Sequence, residues 1–459
     1  MTKTRFLIAV LIASAAVATF GTGCQTNYNS EAKVMTEAWR SGQAPLAAKE
    51  FSQKADSRDK EKDFVIWHLE AGAALRAAGN YPESCRHLDA AVAKMDQYEA
   101  QGKVKVGHLM YRLVFFYGLP PPNNKELPYE GCSYDKIMAH TYLALNYLAT
   151  GEIDKARPEI IRAYQCQQDA VEENKRRIEE AQKAENKSKN QVAIKKINAD
   201  PTFDRQVDEV TKDLEGFKFY ADYVNPFTVY LDGLYFLHAG TGMSDLERAH
   251  KSLNRVLEVT GGNKFVLADL QDIQLAENGG TTPPTPYTCV IFETGEAASL
   301  DQRNDIPNLP KLVFHQNHAT ELTVKAGEEE EKTAVIANMD SIIAQDFKNE
   351  WPKMLMQFYL SNPSSFLEPL NEYLRKLNHE PERRTPEFAA HLADTRSWTT
   401  LPKEFQIARV ATPPQRKLWL STPGSAPVEV NLLDGTVNVV YVRSINASSP
   451  LLVSQFKLK

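Results

Sequence analysis

The sequence feature that most constrains the fold is a pattern of small and apolar residues that recurs around two glycines, Gly79 and Gly151. Each glycine separates two runs of helix-forming residues, and small residues recur where the paired helices would cross. The first copy spans residues 68–91 and the second spans residues 143–163. A single helix pair buries too little apolar surface to be stable alone, so neighbouring pairs must stack on one another.

These spacings match the tetratricopeptide (TPR) repeat, which has glycine in the turn and an aromatic or aliphatic residue two positions later, here Tyr81 and Ile153. Two weaker copies fit the same template, one around Gly42 and the other around Gly240. Together the four copies predict an N-terminal α-helical, TPR-like solenoid domain over residues 31–278.

The turn glycines also predict which side chains face the concave side of this solenoid. A groove for a partner would be lined by Leu69, Ala73, Arg76, Leu145, Leu148, Tyr230 and Leu234. Arg76 is the one charged residue in this set, which argues against a clamp for a terminal carboxylate. Because soluble proteins seldom leave a large apolar patch bare, we expect a segment of the same chain to cover the groove, either residues 108–117 or residues 281–292. An external apolar peptide is the alternative.

Residues 165–215 interrupt the repeats with a stretch rich in Glu, Lys and Gln. Helix formers dominate up to Ala199 and resume at Phe203, with Pro201 between them. We therefore predict a long, solvated, charged helical hairpin that projects from the solenoid. A mobile charged linker is the alternative interpretation.

A run of glycine and proline at residues 279–286 predicts a linker, because two flexible residues are followed by a stiff proline-rich stretch. After it the apolar period changes, and we predict a mixed α/β domain over residues 287–459, with an antiparallel sheet and inserted helices. Predicted strands lie at residues 287–292, 311–314, 321–324, 416–420, 428–432, 437–442 and 451–456. The whole chain is thus expected to be α+β.

Turn and helix signals are also present inside this second domain. The Asp-Gly pair at residues 434–435 predicts a tight hairpin between the two strands that flank it. Helices are predicted over residues 336–347 and from each of two helix-starting prolines, Pro352 and Pro363, onward. The methionines and aromatic residues at helical spacing in this block are expected to be core.

The N-terminus predicts export from the cytoplasm. Lys3 and Arg5 precede an apolar run over residues 6–18, which is too short to span a bilayer. The Thr-Gly-Cys sequence at residues 22–24 resembles the lipobox of bacterial lipoproteins, in which the cysteine carries a diacylglyceryl group. We therefore predict a signal peptide over residues 1–23, lipid attachment at Cys24 and a lipidated tether over residues 24–30.

Neighbouring residues refine this prediction. Gly21 stands where a lipobox usually carries Leu, so ordinary secretion with cleavage after Ala18 is the alternative. Gln25, rather than Asp, follows the cysteine, which by analogy with enterobacterial sorting favours the outer membrane, facing the periplasm. The membrane is then one expected partner, bound through the N-terminal lipid.

Four cysteines remain besides Cys24, in a compartment where disulfides can form. Cys85 and Cys166 lie on predicted helices and are expected to be buried thiols. Cys132 and Cys166 are the one pair for which a disulfide is worth testing.

Three stretches carry a wider resemblance. They are ALNYLATGEIDKA at residues 144–156, NPFTVYLDGLY at residues 225–235, and DTRSWTTLP followed by QIARV within residues 394–410. Together they resemble a family of bacterial TPR-containing lipoproteins over most of the chain. The resemblance implies a lipid anchor and two domains. It implies no reaction, so no catalytic residue follows from it.

Charge and motif content argue against several functions. A formal net charge of −6 does not provide the basic surface that nucleic-acid binding needs. The chain has no GxxxxGK(S/T), HExxH, GxSxG or paired CxxC sequence. His315 and His318 have no third ligand nearby in the sequence, and the acidic run at residues 328–331 is expected to be a solvated face. No metal and no cofactor are therefore predicted.

Asp394, Arg396 and Trp398 mix charge with a large aromatic side chain. They predict a turn pinned by an Asp–Arg ion pair, with the indole packed inward. A contact to a ligand or to peptidoglycan is the alternative.

The function expected from these features is a membrane-anchored interaction platform. The solenoid would present a binding surface, and the second domain would hold or receive an envelope protein or peptide. An enzyme with an unrecognised site in residues 287–459 and a purely structural envelope protein are the alternatives. No catalytic residue is predicted.

Overall fold

The computed structural model describes residues 28–57, 62–102, 127–185, 225–280, 283–303, 309–361 and 393–459. Several predictions lie outside these residues: the signal peptide, Cys24 with the first part of its tether, the candidate covering segment at residues 108–117, the far part of the charged hairpin, and the helix from Pro363. The tether prediction was wrong for residues 28–30, which begin the first helix with Tyr28 buried in the core. The near part of the charged segment is helical as far as Glu185.

Helices make up the N-terminal part of the described chain. They are α1 (Tyr28–Arg40), α2 (Ala44–Ser57), α3 (Phe64–Ala77), α4 (Tyr81–Gly102), α5 (Ser133–Ala149), α6 (Ile153–Glu185), α7 (Pro226–Ala239), α8 (Met243–Thr260) and α9 (Lys264–Glu277). Helices that follow one another pack together, most extensively α3 with α4, α5 with α6, and α7 with α8. Short turns between neighbours and shared apolar faces produce this arrangement.

Three of the four predicted turn glycines end their helices in the same way. Gly42, Gly79 and Gly151 have φ angles of 77°, 79° and 77°, a left-handed conformation that suits glycine. At Gly79 the glycine amide bonds the Arg76 carbonyl, and the next amide bonds the Leu75 carbonyl, both at 2.9 Å. The fourth turn differs, because Gly240 has an extended conformation with φ −69°.

Glycines also allow two of the helix pairs to approach closely. A Cβ atom added at Gly72 on α3 would lie 2.6 Å from Leu88 on α4. A Cβ atom at Gly233 on α7 would lie 2.6 Å from Leu253 on α8. The small residues therefore stand where the helices cross, at matching positions in two separate pairs.

Strands dominate the C-terminal part. They are β1 (Tyr287–Thr294), β2 (Ser299–Gln302), β3 (Pro310–Val313), β4 (Thr323–Ala326), β5 (Glu329–Lys332), β6 (Ala334–Asn338), β7 (Glu404–Ala411), β8 (Lys417–Ser421), β9 (Val428–Asn431), β10 (Val437–Ser444) and β11 (Leu452–Lys457), with helix α10 (Met339–Ser361) after β6. The sheets have the orders β11-β10-β1-β7-β6, β2-β3 and β5-β4-β8-β9. The chain is therefore α+β, with helices first and sheets after.

The prediction of a purely antiparallel sheet was wrong for the largest sheet. β1 pairs with β7 in antiparallel fashion but with β10 in parallel fashion, starting at Tyr287 opposite Val437. The predicted hairpin at residues 434–435 was also wrong, since β9 and β10 belong to different sheets. β10 is buried along its whole length and has β1 and β11 on its two sides, so β9 cannot pair with it.

Two predicted helix starts were also wrong. Ile336 lies in β6, whose backbone pairs with β7, and the helix begins only at Met339. Pro352 lies inside α10 instead of starting a second helix. Apolar spacing alone did not distinguish these cases, because the buried end of a strand and the first turn of a helix carry the same kind of residue.

Within the described chain, buried apolar residues of both parts form one continuous cluster. It includes Trp67 and Phe227 from helices together with Val290 and Val440 from the largest sheet. The division into two domains at residues 279–286 remains a prediction. Apolar residues on the two sides of this boundary pack against one another.

Candidate functional site

The seven predicted groove residues are all buried, with exposed fractions no greater than 7 %. Two of them, Arg76 and Tyr230, contact the C-terminal sheet of the same chain. The Arg76 guanidinium lies 4.4 Å from the ring centroid of Tyr441 on β10. The Tyr230 hydroxyl lies 3.4 Å from the Cys289 sulfur on β1, which is within the second of the two predicted covering segments. An external peptide would reach these side chains only if the sheet moved away.

Arg76, the one charged residue of the groove, belongs to a buried hydrogen-bond chain. Its Nη1 donates to Asn146 Oδ1 at 3.0 Å, and Asn146 Nδ2 donates to Ser84 Oγ at 2.8 Å. Ser84 Oγ donates in turn to the Gly72 carbonyl at 2.6 Å. The guanidinium thus links α3 to α5 beneath β10, and it is already engaged within the fold.

Glu70 is a fully enclosed carboxylate at the boundary between the two parts, with no exposed surface. It accepts hydrogen bonds from the Tyr28 hydroxyl at 2.9 Å, from both the amide and the hydroxyl of Thr399 at 2.7 Å, and from the Thr400 amide at 3.1 Å. Burial raises the pKa of Glu70, while these hydrogen bonds act in the opposite direction. These four donors come from two segments that are far apart in the sequence. Glu70 is therefore a buried polar link, here called a tie, between the helices and the C-terminal region.

The turn predicted at residues 394–398 is confirmed. Arg396 Nη2 lies 2.7 Å from Asp394 Oδ2, and the Trp398 side chain is 1 % exposed. Arg396 Nη1 also donates to Asp63 Oδ1 and to the Leu127 carbonyl, both at 2.9 Å. The turn is therefore a second tie to the helical part.

A third tie joins α9 to β7. Arg409 donates to Asp269 and Asp272 at 2.7 Å each, and its guanidinium lies 3.7 Å from the ring centroid of Tyr287. Burial raises the pKa of Asp269 to about 6, and the Arg409 charge opposes that rise. A paired arginine and two carboxylates stabilise contact between the parts, because a buried charge left alone would be costly.

His315 and His318 do not converge on a common point. His315 Nε2 lies 3.0 Å from Ser299 Oγ, whereas His318 Nε2 lies 2.9 Å from Ser444 Oγ. In the described ranges no group of three or more His, Cys, Asp or Glu side chains is placed to hold a metal ion. The two histidines instead line a cavity of about 380 Å³, together with Trp39, Arg40, Gly295, Glu296, Gln316, Ile445 and Asn446.

The four cysteines that the structure describes are free thiols, so Cys132 and Cys166 are not joined. Burial raises the pKa of Cys85 to about 11 and that of Cys166 to about 12. Both thiols therefore stay protonated at neutral pH, which fits a packing role better than nucleophilic chemistry.

A second cavity, of about 480 Å³, opens on the four-stranded sheet and was not foreseen from the sequence. It is lined by Lys325, Gly327, Gln415, Lys417, Trp419 and Pro427. Trp419 is 42 % exposed there. The alternation of polar and apolar residues in Lys417–Ser421 was the available signal, since it places this indole on the same face as Lys417.

No family model, no curated protein and no solved structure matches this chain. None of the described helices is both long and apolar enough to cross a membrane.

Proposed function

We propose that this protein is a lipid-anchored protein of the bacterial envelope that serves as a protein–protein interaction platform. The anchor is proposed at Cys24, on the outer membrane and facing the periplasm. Support comes from the basic start, the short apolar run and the Thr-Gly-Cys sequence at residues 22–24.

The helical part of this platform is proposed to be a TPR-like solenoid. Support comes from the matching caps at Gly42, Gly79 and Gly151 and from the close glycine–leucine crossings at Gly72 and Gly233. TPR-like helix pairs commonly present extended binding surfaces, because each pair contacts only its neighbours.

The observation that carries the proposal is the occupation of the groove by the sheet of the same chain. Three buried polar ties, centred on Glu70, Arg396 and Arg409, join the C-terminal region to the helical part. A partner is therefore expected to bind the outer faces of the assembled protein. Val34 on α1 and Met243 on α8, each 68 % exposed, are large apolar side chains on such outer faces.

Site-specific photocrosslinking in the native membrane tests this proposal. p-Azidophenylalanine would replace Val34 or Met243 as outward positions and Tyr230 as the inward control, since Tyr230 is close to it in size. We expect discrete adducts with an envelope protein from an outward position and none from Tyr230. Adducts from Tyr230 would instead show that the groove opens to partners, and none from any position would favour a purely structural role.

The anchor is tested separately by Cys24→Ser. We expect this variant to leave the membrane fraction or to accumulate as unprocessed precursor, because the residue that would carry the lipid chains is gone. A processed Cys24→Ser protein that stays with the membrane would contradict lipid anchoring and leave the platform proposal standing.

A further inference from the structure

The four-stranded sheet β5-β4-β8-β9 has one buried face and one open face. Val324 on β4, Leu418 and Leu420 on β8, and Val430 on β9 face the core. The alternate residues of the same strands face outward, as strand geometry requires. Trp419 is the one aromatic side chain on this open face among the residues of the four strands.

Strand register places charged residues on both sides of the indole. Trp419 stands directly opposite Lys325 on β4 and directly opposite Glu429 on β9. Lys325 is in turn opposite Glu330 on the edge strand β5. Lys417 lies two residues before Trp419 on the same face, and its Nζ is 2.7 Å from Glu429 Oε1. The open face thus carries one exposed indole with two lysines and two glutamates around it.

The composition of this open face argues against a protein as the ligand that binds there. The centre of a protein–protein interface is depleted in charged residues, and its aromatic anchors sit among other apolar side chains. The charges beside Trp419 are also balanced in sign. An anionic membrane surface or a heavily phosphorylated ligand would instead select a cluster of cations.

A sugar chain without net charge fits the same composition. The C–H face of a pyranose ring can lie on the indole, because an indole combines a broad apolar surface with low conformational freedom. The ring hydroxyls both donate and accept hydrogen bonds, so they can pair with lysine and glutamate side chains at once. The cavity volume of about 480 Å³ lies within the range of small-ligand sites, and Gln415, Gly327 and Pro427 complete its walls.

We propose that the open face of this sheet is a glycan-binding site at which Trp419 stacks on an uncharged pyranose chain. Lys325 and Glu429 bind hydroxyl or N-acetyl groups on either side of the ring. This function goes beyond the proposed platform and stands on different residues, so either can fail without the other.

The distribution of tryptophans gives this site its own spectroscopic signal. All five tryptophans lie in the described part of the chain, and Trp39, Trp67, Trp351 and Trp398 are at most 2 % exposed. Quenching of fluorescence by acrylamide therefore reports mainly on Trp419. The probes are chitotetraose and cellotetraose at millimolar concentration, with phosphatidylglycerol vesicles as the alternative surface.

We expect at least one of the two tetrasaccharides to protect the quenchable fraction and to shift its emission. Lys325→Ala should raise the Kd about three- to tenfold, since one hydrogen bond at a solvent-exposed position is lost. Trp419→Ala should remove both the quenchable fraction and the glycan binding measured by calorimetry. Leu267→Ala, at a helix residue that is 43 % exposed, is the matched control and should change neither.

Three results would contradict the glycan site. Full quenching in the presence of both sugars would overturn the glycan site, provided that circular dichroism shows a folded protein. Protection by vesicles alone would overturn it in favour of a membrane contact. Binding that survives in folded Trp419→Ala would place the sugar elsewhere and would also contradict the proposal.

Discussion

The amide nitrogen of Thr399 lies 2.7 Å from Oε1 of Glu70, although 329 residues separate the two in the sequence. The contact brings a turn of the C-terminal region onto the middle of α3. Because a buried carboxylate without its donors would be strongly destabilising, the sheet and the helices are coupled at this point. The sheet and the helices are therefore held together by a specific polar contact as well as by apolar packing.

Replacing Glu70 tests this coupling directly. Glu70→Gln should lower the free energy of unfolding by about 2–4 kcal/mol, because an amide nitrogen would face donors that now meet a carboxylate oxygen. Urea unfolding measures the change. Glu37→Gln on the exposed side of α1, where the carboxylate is 62 % exposed, should change the same quantity by less than about 0.5 kcal/mol. Equal effects of the two substitutions would show that Glu70 is not a tie.

Asp135 predicts a specific dependence of stability on pH. Burial raises its pKa from 3.8 to about 7, although hydrogen bonds from Tyr129 and the Cys132 amide act in the opposite direction. Between these values the folded state holds a proton that the unfolded state has lost. The contribution of Asp135 to stability therefore falls as pH rises from about 4 to 7 and stays level above that.

Asp135→Asn is the matched variant for this prediction. Both hydrogen bonds to Asp135 reach the same oxygen, Oδ2, so an asparagine oxygen can keep them. We expect the stability of the wild type relative to Asp135→Asn to decline over that pH range in urea titrations. A difference that is constant with pH would mean that Asp135 is ionised throughout.

The close crossing of α3 and α4 predicts that substitutions at Gly72 and Leu88 have strongly non-additive effects on stability. Gly72→Ala should destabilise the protein by about 1–3 kcal/mol through overpacking, even though alanine favours helix. In a Leu88→Ala background the same change should be neutral or stabilising, because the clashing side chain is gone. Gly242→Ala is the control for the steric effect alone, since no atom lies within 4 Å of its added Cβ; as the N-cap of α8 it loses only the preference for glycine at a cap. Additive effects at positions 72 and 88 would contradict the tight crossing.

Thiol labelling tests the absence of a disulfide in the described structure. Cys24→Ser protein unfolded in urea without reductant should take up four alkyl groups, at Cys85, Cys132, Cys166 and Cys289. In the folded state at neutral pH the labelling should be slow, because burial keeps these thiols protonated. Two fewer labels without reductant than with it, read by mass spectrometry, would show that a pair is oxidised.

The fold could be predicted from the sequence where period and turn chemistry agreed. The caps at Gly79 and Gly151 and the strand at residues 287–292 appear where the pattern indicated. β7 was missed because it is an interior strand with buried apolar side chains on both faces, Phe405 and Ile407 on one and Ala408 and Val410 on the other, so the alternation that starts at Glu404 is not sustained. Arg409 on that strand is matched by Asp269, a partner that only the tertiary fold reveals.

The candidate sites were predictable to a smaller extent. The seven groove residues were placed from the turn glycines; all seven are buried, and their role in a groove stays a prediction. Glu70 could not be recognised, because a single carboxylate on an apolar helix gives no sign of donors far away in the chain. Trp419 could have been found by following the strand alternation to its polar side.

The parallel pairing of β1 with β10 has a consequence for the time at which the groove is covered. The helices precede these strands in the chain, so their inward apolar residues stay bare until the sheet forms. β1 follows early, but its parallel neighbour and β11 come from the far end of the sequence. Pairing between strands so far apart in the sequence forms late, and the intermediates that precede it are prone to aggregation. Until β10 and β11 dock, apolar side chains of the helical part stay exposed, and loss of only the last strands would leave them open to aggregation.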